Sequence, residues 1–419
     1  MGSVVSDTMP AAVPAAPIAD PRMRQRLAYS VASYGSGTFN GFFNSALPLF
    51  LGHYTIPNWL LGLIAQERSI LGSLLEPVVG YASDRTHTRW GRRRPYLLVG
   101  APLAAVGLVV LARVPPLWAM IGLLSILPFI LAVSNVPYRA MLADIASPQL
   151  RGALGGTMTV MEMLGQVSVL LLATMIWTTN ESVVFGAIAV ALVLTFGATF
   201  LMVREPAGLP PAPKAEKSSA GITGYLRDLL LFREAGKWVL AQFVFWLAIG
   251  GISPFVTRYA AFELGLGEET ALKLFLCLVL FTAIFAVPMG IAGDRLGKKK
   301  VLAVALFVFA VTIFVGSRVN TALELGAVLM VAGAANAATT ALGFAFLTEL
   351  LPRRRMGELT GLSGMTWSFA QLLGSFMAGL VADATGTLRS SLMVAAALML
   401  LSFIILLFVQ PKRALSVAD

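Results

Sequence analysis

Charge is scarce in this sequence. Asp, Glu, Lys and Arg supply only 12% of its residues, about half the share that a soluble domain carries, so most of the surface must face something other than water. Cysteine is nearly absent. Cys277 is the single one and lies inside an apolar run, which excludes a disulfide framework and a cysteine metal cluster and leaves a packing role. The two histidines, His53 and His87, fall outside the apolar runs, so a histidine proton relay within them is not expected. Phosphate-binding glycine loops, nucleophile elbows and metal-ligand spacings are missing as well. ATP as a direct energy source, enzymatic chemistry and a cofactor are therefore not expected.

What is present is hydrophobicity: 57% of residues are apolar and the mean hydropathy is +0.81. The runs are about twenty residues long, the length with which a helix crosses the ~30 Å hydrocarbon layer; strands of a membrane barrel would instead alternate over about ten residues. The runs predict spans at 27–51, 58–82, 95–113, 117–138, 151–177, 182–203, 237–260, 270–292, 300–317, 323–348, 357–383 and 390–410. Pro and Gly occur inside several, as neighbouring membrane helices allow. The first run starts near Leu27 and contains Asn40 and Asn44; it is too long for a signal peptide and reads as a span. Residues 1–26 are rich in Pro and Ala and read as a disordered tail.

The net charge of +10 does not point to nucleic acid, because the basic residues sit between hydrophobic runs rather than on one face of a soluble domain. Alternating the spans puts 25 of the 31 Lys and Arg on the side of the N-terminus. The positive-inside rule then assigns both termini to the cytoplasm, in a multi-pass protein of the plasma (inner) membrane. The one long polar interval, 204–236, holds Pro206, Pro210, Pro211 and Pro213. It divides the chain into two sets of six spans, 27–203 and 237–411, followed by a short tail at 412–419, and reads as a cytoplasmic linker. Its stretch Tyr225 to Phe232 suggests a short amphipathic helix on the membrane surface.

A repeat supports the division. Gly80-Tyr-Ala-Ser-Asp84-Arg85 and then Gly91-Arg92-Arg93-Arg94 follow the second span. Gly290-Ile-Ala-Gly-Asp294-Arg295-Leu-Gly297-Lys298-Lys299-Lys300 follows the eighth, with the aspartates 210 residues apart. Pro148-Gln-Leu-Arg151 and Pro352-Arg-Arg-Arg355 echo each other at an offset of 204. Two echoes at nearly one offset point to parallel six-helix repeats.

These paired loops resemble the signature of the major facilitator superfamily, and the resemblance covers nearly the whole chain. The longer string from Glu76 to Pro95, with Thr86-His-Thr-Arg-Trp90 inserted, is similar to two sugar-transporting branches: the glycoside–pentoside–hexuronide cation symporters and the sucrose transporters. Asn135-Val-Pro-Tyr-Arg-Ala-Met-Leu-Ala-Asp144 is similar to both. The resemblance implies an all-α membrane protein, with twelve transmembrane helices in two pseudo-symmetric six-helix bundles around a midplane cavity. It also implies gating by Asp84, Arg85, Gly91, Arg92, Asp144, Arg151, Asp294 and Arg295, with the two aspartates pairing across the seam between the halves.

Ionisable groups inside spans are costly and default to functional candidates. Glu162 lies about 16 Å into the fifth span, with Thr159 and Gln166 on its face; it reads as a coupling or substrate-binding acid, or as a structural acid bonded to a neighbouring helix. Glu76, before Pro77, reads as an ion-coupling acid or as the partner of a loop arginine. Glu67 and Arg68 point about 100° apart and each needs a partner elsewhere; Glu67 is a coupling candidate, and Arg68 could hold substrate or pair with Glu162. The resemblance places the first, fourth, seventh and tenth spans around the cavity, where Asn40, Asn44, Asn135, Gln242, Trp246 and Asn336 are candidate substrate contacts. Trp367 and Gln371 join them from the eleventh. Amides that donate and accept, beside flat aromatics, suit sugars; they equally suit helix–helix hydrogen bonds. The expectation is a proton-coupled sugar or glycoside symporter, with partners limited to a small-molecule substrate, a coupling ion (a proton ahead of sodium) and the lipid bilayer. The alternatives are a carrier or exporter of a more hydrophobic molecule and a non-transporting assembly factor on the same fold.

Overall fold

The computed structural model describes residues 23–54, 56–86, 88–113, 116–145, 151–203, 205, 233–350 and 356–410, without the side chains of 23–26, 67–77, 143, 151–153 and 356–362. The expected tails, the linker with its Tyr225 to Phe232 helix, and Arg353, Arg354 and Arg355 therefore lie outside the described residues.

Among the described residues, twelve long helices carry the fold. The first six are α1 (Met23–Gly52), α2 (Asn58–Arg85), α3 (Arg94–Leu111), α4 (Leu117–Ile145), α5 (Arg151–Ile176) and α6 (Glu181–Met202). The second six are α7 (Arg233–Ile252), α8 (Glu268–Leu296), α9 (Lys298–Gly316), α10 (Ala322–Leu350), α11 (Met356–Thr385) and α12 (Leu388–Leu407). Ten helical stretches among the described residues are long and apolar enough to cross a membrane. The protein is an integral multi-pass membrane protein. α1 and α2 stand outside those ten; α2 carries Glu67, Arg68 and Glu76 mid-length.

The predicted seventh span, 237–260, is not one uninterrupted helix. α7 stops at Ile252, and the chain resumes as a helical turn at Val256–Arg258 that runs into a π-helical turn at Tyr259–Glu263. Pro254 explains the break: it has no N–H to continue the helical ladder and its ring crowds the preceding turn. Glu263, which closes the π turn, accepts the Leu388 N–H at 2.7 Å and the Thr387 hydroxyl at the start of α12.

The packing repeats from half to half. In the first half α1 lies on α5 and α6, α3 on α4 and α6, and α2 on α4; in the second, α7 lies on α11 and α12, α9 on α10 and α12, and α8 on α10. The halves meet along α2–α11 and α5–α8. Small residues set the tightest crossings. A Cβ on Gly37 would strike the Glu162 backbone, and one on Gly165 the Tyr34 carbonyl, so α1 and α5 touch backbone to backbone. Gly250 meets the Gln371 backbone and Gly374 the Leu247 carbonyl in the same way between α7 and α11.

Candidate functional site

The two signature loops sit at one end of the bundles, and their ion pairs close within their own half. Arg92 reaches Asp144 at 2.7 Å, and Arg93 bridges Asp84 at 2.7 Å and Asp144 at 3.2 Å. The side chains of Arg92, Arg93 and Asp144 are 13%, 7% and 10% exposed, so this cluster is desolvated and each charge depends on its partners. Glu205 completes it by accepting the backbone N–H groups of Arg92 (2.6 Å), Arg93 (2.9 Å) and Arg94 (3.0 Å), a carboxylate at the positive end of α3. Gly91 turns the loop with φ of 108°, and a Cβ there would strike Glu205, so only glycine fits. Arg85 stacks on Tyr81 at 4.0 Å.

The second loop repeats the device with fewer acids. Lys298 pairs with Glu349 and, at 3.8 Å, with Asp294; Arg295 is exposed. Asp84 and Asp294 thus find bases inside their own halves rather than across the seam, because each loop folds its following basic cluster back onto the preceding helix end. Arg151 is described in its backbone only.

Midway along the helices, Asn40 of α1 donates to Glu162 of α5 at 2.9 Å. Glu162 and Gln371 are 209 residues apart and sit at the corresponding glycine-lined crossings of the two halves, an acid in one and its amide counterpart in the other. One turn beyond Glu162, Gln166 lines a cavity of about 230 Å3 together with Asn44, Met163 and second-half residues including Ser253, Thr282, Thr312 and Asn336. Most of its remaining lining is Ile, Val, Leu and Phe. Asn336 approaches Thr282 at 3.5 Å. Trp246 lies one turn from the cavity residue Ile249 and stacks on Trp367 of α11, with ring centroids 6.5 Å apart and planes inclined by 26°. Both indole N–H groups are buried with no protein hydrogen-bond partner, so an acceptor from water or from a bound ligand would stabilise them.

Asn135 and Gln242 are not among the residues lining this cavity and contact neighbouring helices. Asn135 accepts the Ser36 hydroxyl at 2.7 Å. Gln242 is buried and packs on Gly343 of α10, where a Cβ would approach its amide to 2.5 Å. Both bind helices together in this conformation. The side chains of Glu67, Arg68 and Glu76 lie outside the described residues.

The opposite end of the bundles is closed across the seam. Glu268, in the first turn of α8, accepts the Trp177 indole N–H at 2.9 Å and lies 2.5 Å from His53 Nε2. Asp383 of α11 accepts the backbone N–H groups of Asn58 and Trp59, each at 3.0 Å, and the Asn58 amide at 2.8 Å. Between these latches Thr257 donates to the Ser45 carbonyl and Ser375 to the Gly62 carbonyl. Burial, and then the Glu181 carboxylate, push the Tyr54 hydroxyl above the usual phenol range, which keeps it neutral at this end.

Residues 27–279 and 238–418 match the family model of the Major Facilitator Superfamily. The chain belongs to that superfamily. Its fold is similar to that of the nucleoside transporter NupG, with a TM-score of 0.69 at 14% identity over 92% of this chain and 98% of that one. Among curated relatives it is 28% identical over 210 residues to the inner membrane symporter YicJ of Escherichia coli (strain K12), 45% of each chain. It is also 45% identical over 53 residues to sucrose transport protein SUT1 of Oryza sativa subsp. japonica, 13% of this chain and 9% of that one. The matched stretches span less than half the length of these relatives.

In this major facilitator protein, sequence reasoning missed four acids: Glu205, Glu349, Glu268 and Asp383. Glu205 and Glu349 sit at the loop end and the other two form the far latches. A signal existed for one of them: Glu268 follows Asn58 by 210 residues, the spacing of the signature aspartates, so the start of α8 corresponds to the start of α2.

Proposed function

We propose that the protein is a secondary active transporter that moves a sugar or glycoside together with a proton by alternating access between its two halves. The observation that carries the reading is the stacked pair Trp246 and Trp367, whose unpaired indole N–H groups offer a flat apolar face and two donors to a ring bearing hydroxyl oxygens. Asn44, Gln166 and Asn336, which line the cavity one helical turn from Trp246, supply further donors and acceptors. The curated relatives include a symporter and a sucrose transport protein, which supports the same class of cargo.

Glu162 is the coupling acid in this reading. It is held by Asn40 one turn from cavity-lining Gln166, at a seam without space for a side chain between α1 and α5. Protonation removes a charge from the midplane and so favours the loaded protein changing state. The latches at Glu268 and Asp383, with the loop-end pairs kept within each half, are the arrangement of a transporter whose site opens toward the loops.

A second reading has its own support. The walls of the cavity are mainly apolar, which suits a less polar cargo whose few polar atoms meet Asn44, Gln166 and Asn336.

One experiment separates the readings. Reconstituted protein is assayed for uptake of a panel of mono- and disaccharides and of amphipathic glycosides, with and without an inward proton gradient. Sugar accumulation driven by the gradient, abolished in Glu162→Gln while exchange persists, is the expected result. Absence of flux for every sugar, with flux of the amphipathic compounds, overturns the sugar reading; accumulation indifferent to the gradient overturns proton coupling.

A further inference from the structure

The second half carries a groove between α8, α9 and α10 that serves neither the cavity nor the seam. It has a volume of about 440 Å3. Its walls include Ala292, Ala305, Val308 and Ala335, and its rim residues Leu296, Val304 and Val331 are exposed on the perimeter of the bundle. Lys300, at the loop end, is the one charged residue among those lining it. From Lys300 to Val308 the groove follows eight residues of helix, about 12 Å, which approaches the depth of one leaflet of a ~30 Å hydrocarbon core. An apolar cleft of this kind, open to the bilayer, is filled by acyl chain rather than by water.

The start of α9, at its mouth, lacks a carboxylate that the start of α3 has. There, Arg92 and Arg93 meet Asp144 and Asp84, and Glu205 takes the N–H groups at the start of α3. Helix α9 opens with Lys298, Lys299 and Lys300, has no acidic residue in its first turn and no side-chain cap. Lys298 pairs with Glu349, and Lys299 donates to the Leu407 carbonyl at 2.9 Å. Met202 and Leu407 end α6 and α12, so the position of Glu205 is taken by Gln410, a neutral residue whose own N–H bonds Glu234 at 2.6 Å. The carboxylate that meets the N–H groups at the start of α3 has no counterpart at the start of α9 among the described residues, and a lysine beside a positive helix end attracts an anion.

We propose that the groove binds an anionic phospholipid from the leaflet on the signature-loop side, one acyl chain lying between α8, α9 and α10 and the phosphate at Lys300. A zwitterionic lipid supplies the same chain but no net negative charge, so the site discriminates by headgroup charge.

The test uses the full-length protein in detergent, equilibrated with an equimolar mixture of dioleoylphosphatidylglycerol and dioleoylphosphatidylcholine and weighed intact by native mass spectrometry. The expected result is retention of phosphatidylglycerol over phosphatidylcholine by about fivefold. Lys300→Gln abolishes the preference, Lys273→Gln at the other end of α8 leaves it intact, and Val304→Trp lowers retention of both lipids by filling the groove. Equal retention of the two lipids by the parent protein, or an undiminished preference in Lys300→Gln, overturns the proposal. Should Lys300→Gln fail to fold, Val304→Trp decides: undiminished phosphatidylglycerol retention overturns it.

Discussion

Glu268 and Trp177 are 91 residues apart in sequence and belong to different halves, and the indole N–H of Trp177 donates to Glu268 Oε2 at 2.9 Å. With His53 on the other oxygen, one carboxylate of α8 fastens both α1 and α5. Glu268→Ala removes both contacts. A hydrogen bond to a charged group contributes about 1.5–3 kcal/mol, so the population open at this end should rise by at least about tenfold. Spin labels at the exposed positions Thr179 and Glu269, in a Cys277→Ala background, read this as a shift to longer distances. An unchanged distance distribution shows that Glu268 does not hold the end closed.

The glycine crossings make a stability prediction. At Gly37 and at Gly250 an added methyl meets backbone, which cannot rotate away. Gly37→Ala and Gly250→Ala should each cost about 1–3 kcal/mol, seen as a lower melting temperature of the purified protein. Gly197→Ala, with open space around the position, should be neutral or slightly stabilising. Equal melting of all three variants would falsify the close-contact account.

The tryptophan pair predicts a split between ring and donor. Trp246→Phe and Trp367→Phe keep an aromatic face and lose one N–H each. Each should weaken substrate binding about fivefold, the value of one neutral hydrogen bond, while Ala at either position should weaken it further. Isothermal titration with the compound that the uptake assay identifies as substrate measures both steps. Phenylalanine variants that bind as tightly as the parent would remove the indole donors from the site.

Glu205 predicts a local effect at the loop end. Glu205→Gln keeps one acceptor oxygen and loses the charge that faces the start of α3, at a cost of about 1 kcal/mol. Hydrogen exchange should quicken at Arg92, Arg93 and Arg94 while α9 is unaffected. Uniform exchange across both loops would show that the carboxylate does not act as the cap of α3.

The twelve helices were legible in the sequence because apolar runs of membrane length leave few alternatives, and the signature loops marked the repeat. The break at Pro254 was less so: a proline inside a membrane helix is ordinarily tolerated, and only the structure shows that the chain here passes through a π turn to place Glu263 at the start of α12. Glu162 stood out as an ionisable group inside a span and Asn40 as an amide on the first, yet nothing in the spacing disclosed that they bond each other. Gln242 illustrates the opposite case. Its polarity pointed to the cavity, and it packs against Gly343 because a missing side chain on α10 leaves room for an amide. Glu268 and Asp383 were passed over because an acid at a span end reads as a solvated group until its partner, more than two hundred residues away in the case of His53, is known.

The seams α1–α5 and α7–α11 also settle where the molecule can bend. Two helices in contact through backbone atoms have no layer of rotatable side chains to absorb a sliding motion, so each pair behaves as a stiff beam. Between the halves, α2 and α11 also touch backbone to backbone, at Gly62 and Gly379; α5 and α8 have no such glycine contact and are held at one end by Glu268, so that seam forms the compliant joint. Parting α5 from α8 therefore means breaking the Glu268 fastener first, while the Asp383 end of α2–α11 can act as the pivot.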